Sequence, residues 1–346
     1  MSRDFLYTGS PAHIVFREGA SASTGEWVEK LGCRKALVLS TPHQKADAEA
    51  LATRLGPLCV GVFAGAVMHT PVEVTEAAML VVKQTGADCV VSTGLGKAIA
   101  YRTDLPQIVI PTTYAGSEVT PILGQTEGGR KTTVRHASIL PEVVIYDAAL
   151  TTGLPVAMSV TSGLNAMAHA VEALYAQDRN PISSLMAVEG LRAFRSSLPK
   201  IADAPADMAL RADALYGAWL CGTVLGTVGM ALHHKICHTL GGTFDTPHAE
   251  THAIMLPHTA AYNAVSVPDL LAPVAEIFGG SVGGGLWDFA KGIGAPIALR
   301  DLGLSEADLD RAAGIATENP YWNARPIDRS SIRALLQDAY EGRRPT

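Results

Sequence analysis

The sequence predicts a doubly wound α/β domain over residues 1–155 followed by an all-helical domain over residues 156–346. Three observations carry this. Short runs rich in Val and Ile alternate with amphipathic stretches before Pro155. Strand signals vanish after it. The 346 residues also exceed what one core serves, since cores stop growing beyond roughly 250 to 300 residues.

Ala36–Ser40, Leu58–Phe63, Cys89–Ser92, Gln107–Ile110 and Val143–Tyr146 read as buried parallel strands. Each is short, apolar and bounded by turn residues. A helix is predicted over Val72–Gln84, with Thr70 as N-cap, Pro71 at the first helical position and Gly86 as the stop. Such alternation is the mark of a doubly wound sheet. After Pro155 the predicted helices are 162–176, 183–197, 207–225, 228–240, 269–278, 286–293, 305–316 and 330–340, with Pro181, Pro205, Pro247, Pro257 and Pro296 as punctuation. Ligands favour the cleft between two such domains.

Composition narrows the function. Hydrophobic residues make up 48% and charged residues 17%, so the chain can bury a large core. A net charge of −6 without clustered Lys and Arg argues against nucleic acid. The N-terminal Met1-Ser-Arg-Asp-Phe lacks a signal pattern, and no stretch of about 20 uninterrupted apolar residues suggests a membrane span. Five cysteines without a CxxC suit a reducing compartment, so the expectation is cytoplasmic.

The residues that carry chemistry are histidines. Asn165 and His169 are four apart in one predicted helix, as are His234 and His238 in another, beside His233; His248 follows in Thr246-Pro-His248. Residues four apart share a helix face. Two helices and a following loop can therefore aim several polar groups at one point. Satisfied core or capping histidines are the plain alternative, but five His in an otherwise apolar region argue for a site. Divalent cations favour His and carboxylate oxygen, whereas Asn165 is a neutral amide that offsets no charge. The residues thus favour a metal-free site with His as proton donor; a metal centre is the alternative.

At these positions the chain resembles the iron-containing alcohol dehydrogenase family. That family carries Asp-x3-His, then His-x3-His, then a His ten residues on; here His238 to His248 is ten and His234 to His248 fourteen. Ile110-Pro-Thr-Thr-Tyr-Ala-Gly-Ser-Glu-Val-Thr120 and Tyr146-Asp-Ala-Ala-Leu-Thr-Thr-Gly-Leu-Pro155 extend the likeness over essentially the whole chain. The resemblance implies the fold shared with dehydroquinate synthase: an α/β dinucleotide-binding domain and a helical catalytic domain. It places metal-ligand positions at 165, 169, 234 and 248. Asn165, where the family has Asp, resembles one branch, the maleylacetate reductases, which work without a metal. Gly94 in Thr93-Gly-Leu-Gly-Lys97, Asn319-Pro-Tyr-Trp-Asn323 and Arg325-Pro326 also look like that branch.

The branch implies NADH or NADPH, with no metal, and a homodimer. Cofactor contacts are expected from Ser40, Thr41 and Pro42 after the first strand, from Gly94, Gly96 and Lys97, and from Thr112, Thr113, Tyr114 and Ser117. Thr and Ser after a strand are also ordinary turn residues. The family's Gly-Gly-Gly-Ser run, whose amides approach the pyrophosphate, is missing, and about half a dozen residues are absent between Ser92 and Gly94. Either the loop is genuinely short, or a flexible loop is absent from the chain; preservation of the other motifs favours the second.

The implied reaction reduces the carbon–carbon double bond of 2-maleylacetate to 3-oxoadipate, in breakdown of aromatic compounds. His238 is the first candidate to meet the developing enolate, His234 the second, with His169 and His248 beside them. Asn165, Tyr321, Arg325, Arg102 and Lys97 are candidates for the dicarboxylate substrate. Two rivals stand: a metal-dependent alcohol or polyol dehydrogenase, which Asn165 disfavours, and a non-catalytic nucleotide-binding sensor. The sensor explains a short glycine loop but not the histidines.

Overall fold

The computed structural model describes residues 7, 9, 12–67, 70–92, 95–127 and 130–346. It divides into two compact units. The α/β unit holds Gly9–Thr112 and Ser117–Thr152; the helical unit holds Gly153–Thr346 together with Thr113–Gly116.

In the α/β unit the strands are β1 (His13–Phe16), β2 (Ala36–Leu39), β3 (Cys59–Phe63), β4 (Cys89–Ser92), β5 (Gln107–Val109), β6 (Ile122–Glu127), β7 (Arg130–Arg135) and β8 (Val143–Tyr146). The helices are α1 (Thr24–Lys30), α2 (Lys45–Leu55), α3 (Val72–Thr85) and α4 (Gly96–Thr103). A parallel sheet has the order β1-β8-β5-β4-β2-β3. Alternate residues enter opposite cores, because strand side chains alternate faces. Ala36, Val38, Cys89 and Val91 pack with Val28, Ala48 and Leu51 of α1 and α2. Leu37, Leu39 and Val90 pack with Ala78, Val82, Ala98 and Ile99 of α3 and α4. Each Val or Leu so buried contributes roughly 1.5–3 kcal/mol.

β1 and the antiparallel pair β6–β7 escape the sequence reading. β1 is only four residues long with two of them exposed. β6 and β7 are polar, so neither shows an apolar run. Helix α3 starts at Val72 with Pro71 as its cap. Thr70 lies outside it with φ 44°, a left-handed conformation that cannot serve as the predicted N-cap.

Only three residues join β4 to α4, and of these Thr93 and Gly94 lie outside the described residues. Gly96 opens α4 where a Cβ would meet Ser92 Oγ at 2.5 Å and Gln107 Oε1 at 3.1 Å. Glycine therefore lets the helix start lie directly on the two strands. Gly96→Ala is expected to destabilise by about 1–3 kcal/mol through overpacking, read as a lowered urea midpoint. An unchanged midpoint would mean the contact relaxes freely.

In the helical unit the helices are α5 (Val156–Tyr175), α6 (Pro181–Asp203), α7 (Met208–Thr227), α8 (Leu232–Phe244), α9 (His248–Ala264), α10 (Pro268–Phe278), α11 (Val282–Gly292), α12 (Asp308–Thr317) and α13 (Arg329–Glu341). α5 is the central element, buried almost throughout from Ser159 to Tyr175 and packed by α6, α7 and α9. Asn180 caps α6 by accepting from the amides of Ile182 and Ser183, with Ser183 Oγ accepting from the Asn180 amide in return. Helix α9 is absent from the sequence reading, which took Pro257 as punctuation; the proline lies inside this helix. Pro268–Gly292 is long and apolar enough for a membrane span by composition, but it is two helices, parted at Gly279–Ser281.

Fully buried Arg211 of α7 knits the unit together. Its guanidinium donates to Tyr114 Oη (2.9 Å), Ser159 Oγ (2.7 Å) and the carbonyls of Leu154 (2.9 Å) and Pro205 (2.8 Å). The loop Thr113–Gly116 is drawn into this unit by that contact. Gly116, at φ 74°, approaches α7 so closely that a Cβ would lie 2.5 Å from the Ala218 carbonyl oxygen.

Candidate active site

Three helices of the helical unit supply the site. α5 carries Asn165, His169 and Glu172, spaced four and three apart and so on one face. α8 carries His233, His234 and His238. α9 opens on His248 and adds His252 one turn later. His248 therefore begins a helix, where the sequence reading had a loop.

α8 begins at Leu232, four residues after its predicted start, and turns by 97° from α7. The buried carboxylate of Glu172 explains where it starts. Oε2 accepts from the Ala231 amide (2.9 Å) and Oε1 from the His233 amide (2.7 Å). First-turn amides lack helical partners and favour negative charge. Oε2 also accepts from His234 Nδ1 at 2.6 Å, and Tyr175 Oη donates to Oε1 at 3.4 Å.

The imidazoles form a connected set. His169 Nδ1 lies 3.0 Å from His234 Nε2. His233 Nε2 lies 2.9 Å from His252 Nδ1, and His233 Nδ1 3.0 Å from Thr259 Oγ1. The ring of His248 is 4.4 Å from that of His252, and the ring of His238 is 5.9 Å from that of His234. Burial, with neighbouring imidazoles adding, holds His169, His233 and His252 well below the usual histidine range. These three are neutral at pH 7. His238 is half-buried, and its Nδ1 lies 3.3 Å from Tyr321 Oη. Proton exchange with an incoming ligand suits such a position better than the deeper rings.

Two buried polar atoms of α5, Asn165 Oδ1 and His169 Nε2, have no hydrogen-bond partner by distance and angle among the described residues. Buried polar atoms are normally satisfied, so the pair points to a ligand. Tyr321 is partly exposed beside His238. Arg325 stacks over the Tyr262 ring at 4.0 Å and donates to the Tyr262 carbonyl. That holds its plane fixed.

Several predicted contacts need correction. Arg102 lies in the α/β unit, where it donates to the Ala98 carbonyl and Gln125 and lies near Glu76. Its charge is used there, so it is withdrawn as a substrate residue. Lys97 Nζ is spent on the carbonyls of Ser117 (2.5 Å), Thr120 (2.8 Å) and Ile122 (3.0 Å) and on Thr120 Oγ1. Burial pulls it down to about 7, with Glu118 opposing. It staples the 117–122 loop, and Ser117 is part of that staple. Tyr114 is wholly buried against Arg211, a core residue instead of a nucleotide contact, and Thr113 belongs to the same loop.

Other predicted cofactor contacts lie at the carboxyl ends of strands. β2 and β4 are neighbours, and the chain leaves β2 toward β3 on one side and β4 toward β5 on the other. Open α/β sheets bind ligands at the carboxyl ends of strands at such a switch point. Ser40 follows β2 there, and its buried Oγ has no partner among the described residues. Thr41 and Pro42 come next; Thr41 Oγ1 donates to Gln44 Oε1, and Gln44 Nε2 to Thr112 Oγ1. Gln44 is a bridge that the sequence reading missed. The start of α4 at Gly96, next to β4, presents helix amides suited to phosphate.

Models of the iron-containing alcohol dehydrogenase match residues 11–148, and of the C-terminal part of the Fe-containing alcohol dehydrogenase family residues 159–340. A maleylacetate reductase of Rhizobium sp. (strain MTP-10005) is 65% identical over 347 residues, covering 99% of both chains. One from Burkholderia cepacia is 50% identical over 349 residues, again 99% of each. The crystal structure of maleylacetate reductase from Agrobacterium tumefaciens superposes with a TM-score of 0.97 at 64% identity, covering 99% of this chain and 100% of that one. The chain belongs to the iron-containing alcohol dehydrogenase family.

The family's ligand positions can now be tested for fit to a metal. Asn165, His169, His234 and His248 offer an amide and three imidazoles, with no anion among them. Glu172 is the nearby carboxylate, but it is engaged with α8 and the far side of His234. His169 and His234 also spend a nitrogen each on one another. The set therefore supplies imidazoles and an amide carbonyl but no charge to offset that of a divalent cation. Among the described residues, the trios with ligand atoms within 4.8 Å are His233, Cys237 and His252, and Cys33, Asp88 and Cys89. Neither coincides with the family's positions. Asp88 is taken by the amides of Arg34 and Lys35.

Proposed function

We propose that this member of the family is a maleylacetate reductase that converts 2-maleylacetate to 3-oxoadipate with NADH or NADPH and without a metal. The observation that carries the reading is the histidine site with Asn165 at the family's acidic position, in a chain 65% identical to a maleylacetate reductase.

The reduced nicotinamide, when bound, supplies a hydride to the alkene carbon remote from the ketone. The electron pair of the double bond then moves to the ketone oxygen as an enolate. A donor must meet that oxygen. His238 is the residue assigned, because it is half-buried and linked to Tyr321, whereas burial keeps His169, His233 and His252 neutral. Protonation of the enolate carbon completes the addition of one hydride and one proton. Conjugation lowers the need for Lewis-acid help, consistent with a donor set lacking a carboxylate.

Arg325 and Tyr321 are assigned to the substrate carboxylates, with Asn165 contributing its amide. Ser40, Thr41, Pro42, Gly96 and Thr112 are assigned to the nucleotide, along with Gly94, which lies outside the described residues. As the family resemblance implies, the enzyme is taken to be a cytoplasmic homodimer acting in breakdown of aromatic compounds.

Metal analysis of the purified protein, with NADH and NADPH oxidation followed with and without maleylacetate in chelator, tests this. Full substrate-dependent activity in chelator is expected. Strict dependence on iron or zinc would sink the metal-free reading; no response to maleylacetate would sink the substrate.

A further inference from the structure

The α/β unit carries a cluster of ligand-type groups that the reaction does not use. Cys33, Asp88 and Cys89 bring two sulfurs and a carboxylate oxygen within 4.8 Å of one another. Both cysteines are free and buried, and their thiols hydrogen-bond each other. Cys33 and Asp88 are 55 residues apart, so folding makes the cluster. It sits at the amino ends of β2 and β4, where Ala36 pairs with Cys89. Ser40 and Gly96, assigned to the nucleotide, follow the carboxyl ends of the same strands, a strand length away or on the order of 10 Å.

The backbone holds these groups in place. α1 ends at Lys30, and Gly32, at φ 77°, turns the chain so that the Cys33 amide donates to the Val28 carbonyl at 3.0 Å. The Asp88 amide donates to the Lys35 carbonyl at 3.0 Å. The Asp88 oxygens accept one amide each, from Lys35 (2.8 Å) and Arg34 (2.9 Å). An ionised carboxylate has about four acceptor sites, so each oxygen keeps one for a further partner. Tetrahedral zinc has Zn–S of about 2.3 Å and Zn–O of about 2.0–2.2 Å, which sets neighbouring ligand atoms roughly 3.5–3.8 Å apart. A closure of roughly 1 Å therefore completes three corners of such a site.

Chemistry separates this cluster from the histidine site. Two thiolates and a carboxylate offset the charge of a divalent cation, and sulfur selects zinc-like metals. Burial, then Asp88, holds the Cys33 thiol above the usual range, and burial, then Cys33, raises that of Cys89. Each is protonated until a cation arrives, and binding releases two protons to solvent. Half-buried Asp88 gives the entry path.

We propose that Cys33, Asp88 and Cys89 form a structural site for one divalent cation of the zinc or cadmium class, which pins the α1–β2 turn to the start of β4. Water takes the fourth position. Metal held here plays no part in the reaction and bears on neither reading of the histidine site.

The test uses the full protein, stripped of metal, kept reduced by a phosphine and titrated with Cd2+. A thiolate-to-metal absorption that saturates at one Cd2+ per chain is expected. The thermal midpoint is expected to rise by about 5 °C with free Cd2+ at about 100 times Kd. Cys33→Ser and Cys89→Ser are each expected to abolish that rise, whereas Cys237→Ser keeps both signals. X-ray absorption of the zinc-loaded wild type is expected to show two sulfur neighbours at about 2.3 Å and oxygen at about 2.0–2.2 Å. One sulfur with nitrogen neighbours would place the cation on His233, Cys237 and His252 and overturn the proposal, with no variant required to fold. No thiolate absorption in wild type, or absorption unchanged in Cys33→Ser and Cys89→Ser, would overturn it as well.

Discussion

His238→Ala is expected to lower kcat on maleylacetate by about 100–1000-fold, within the range for loss of a general acid. The ring is half-buried and its hydrogen bond to Tyr321 is long at 3.3 Å. Its removal should therefore cost stability no more than about 1 kcal/mol. The measurement pairs steady-state kinetics with a thermal melt. A variant that melts like wild type and turns over normally would remove His238 from the mechanism. The assignment would then pass to His248, the other half-buried ring of the cluster.

Arg211→Met is expected to be the most damaging substitution for stability. Methionine fills much of the volume but leaves Tyr114 Oη, Ser159 Oγ and two carbonyls without their donor. Buried groups that lose a partner cost about 1–3 kcal/mol each before relaxation. A net loss of about 3–5 kcal/mol is expected after relaxation, with a thermal midpoint lower by about 10 °C. A midpoint within about 2 °C of wild type would mean that the slot refills with water at little cost.

Much of this was legible in the sequence, for identifiable reasons. The buried parallel strands stood out because both faces of each strand enter a core, leaving unbroken Val- and Ile-rich runs such as Val143–Tyr146. Asn165, His169, His234 and His238 could be grouped because helix periodicity is local. What stayed hidden depended on distant partners. Glu172 is three residues beyond His169 in an otherwise apolar helix, and that lone charge was a usable signal. Its partners, however, come from α8 some sixty residues on, at separations of 59 to 62. Lys97 and Arg102 had the right charge for anions, but the acceptors of Lys97 and the Gln125 partner of Arg102 are 20 to 25 residues away in a polar hairpin region that shows no apolar pattern. Tyr114 is adjacent to nucleotide-type residues in the chain and is claimed by Arg211 across 97 positions. Helix α9 was concealed by Pro257, whose packing inside the unit outweighs its helix-breaking tendency.

The contact between Tyr114 and Arg211 also has a bearing on timing. Tyr114 leaves the ribosome 97 residues ahead of Arg211, which is about 5–20 s at ordinary elongation rates. During that interval the strands that follow the Thr113–Gly116 loop are synthesised, while the slot that holds Tyr114 does not yet exist. A chain severed at Gly153 meets the converse difficulty: its helical fragment would inherit Arg211 without the ring that occupies its guanidinium. The Thr113–Gly116 loop therefore gains its partner only once α7 has been made.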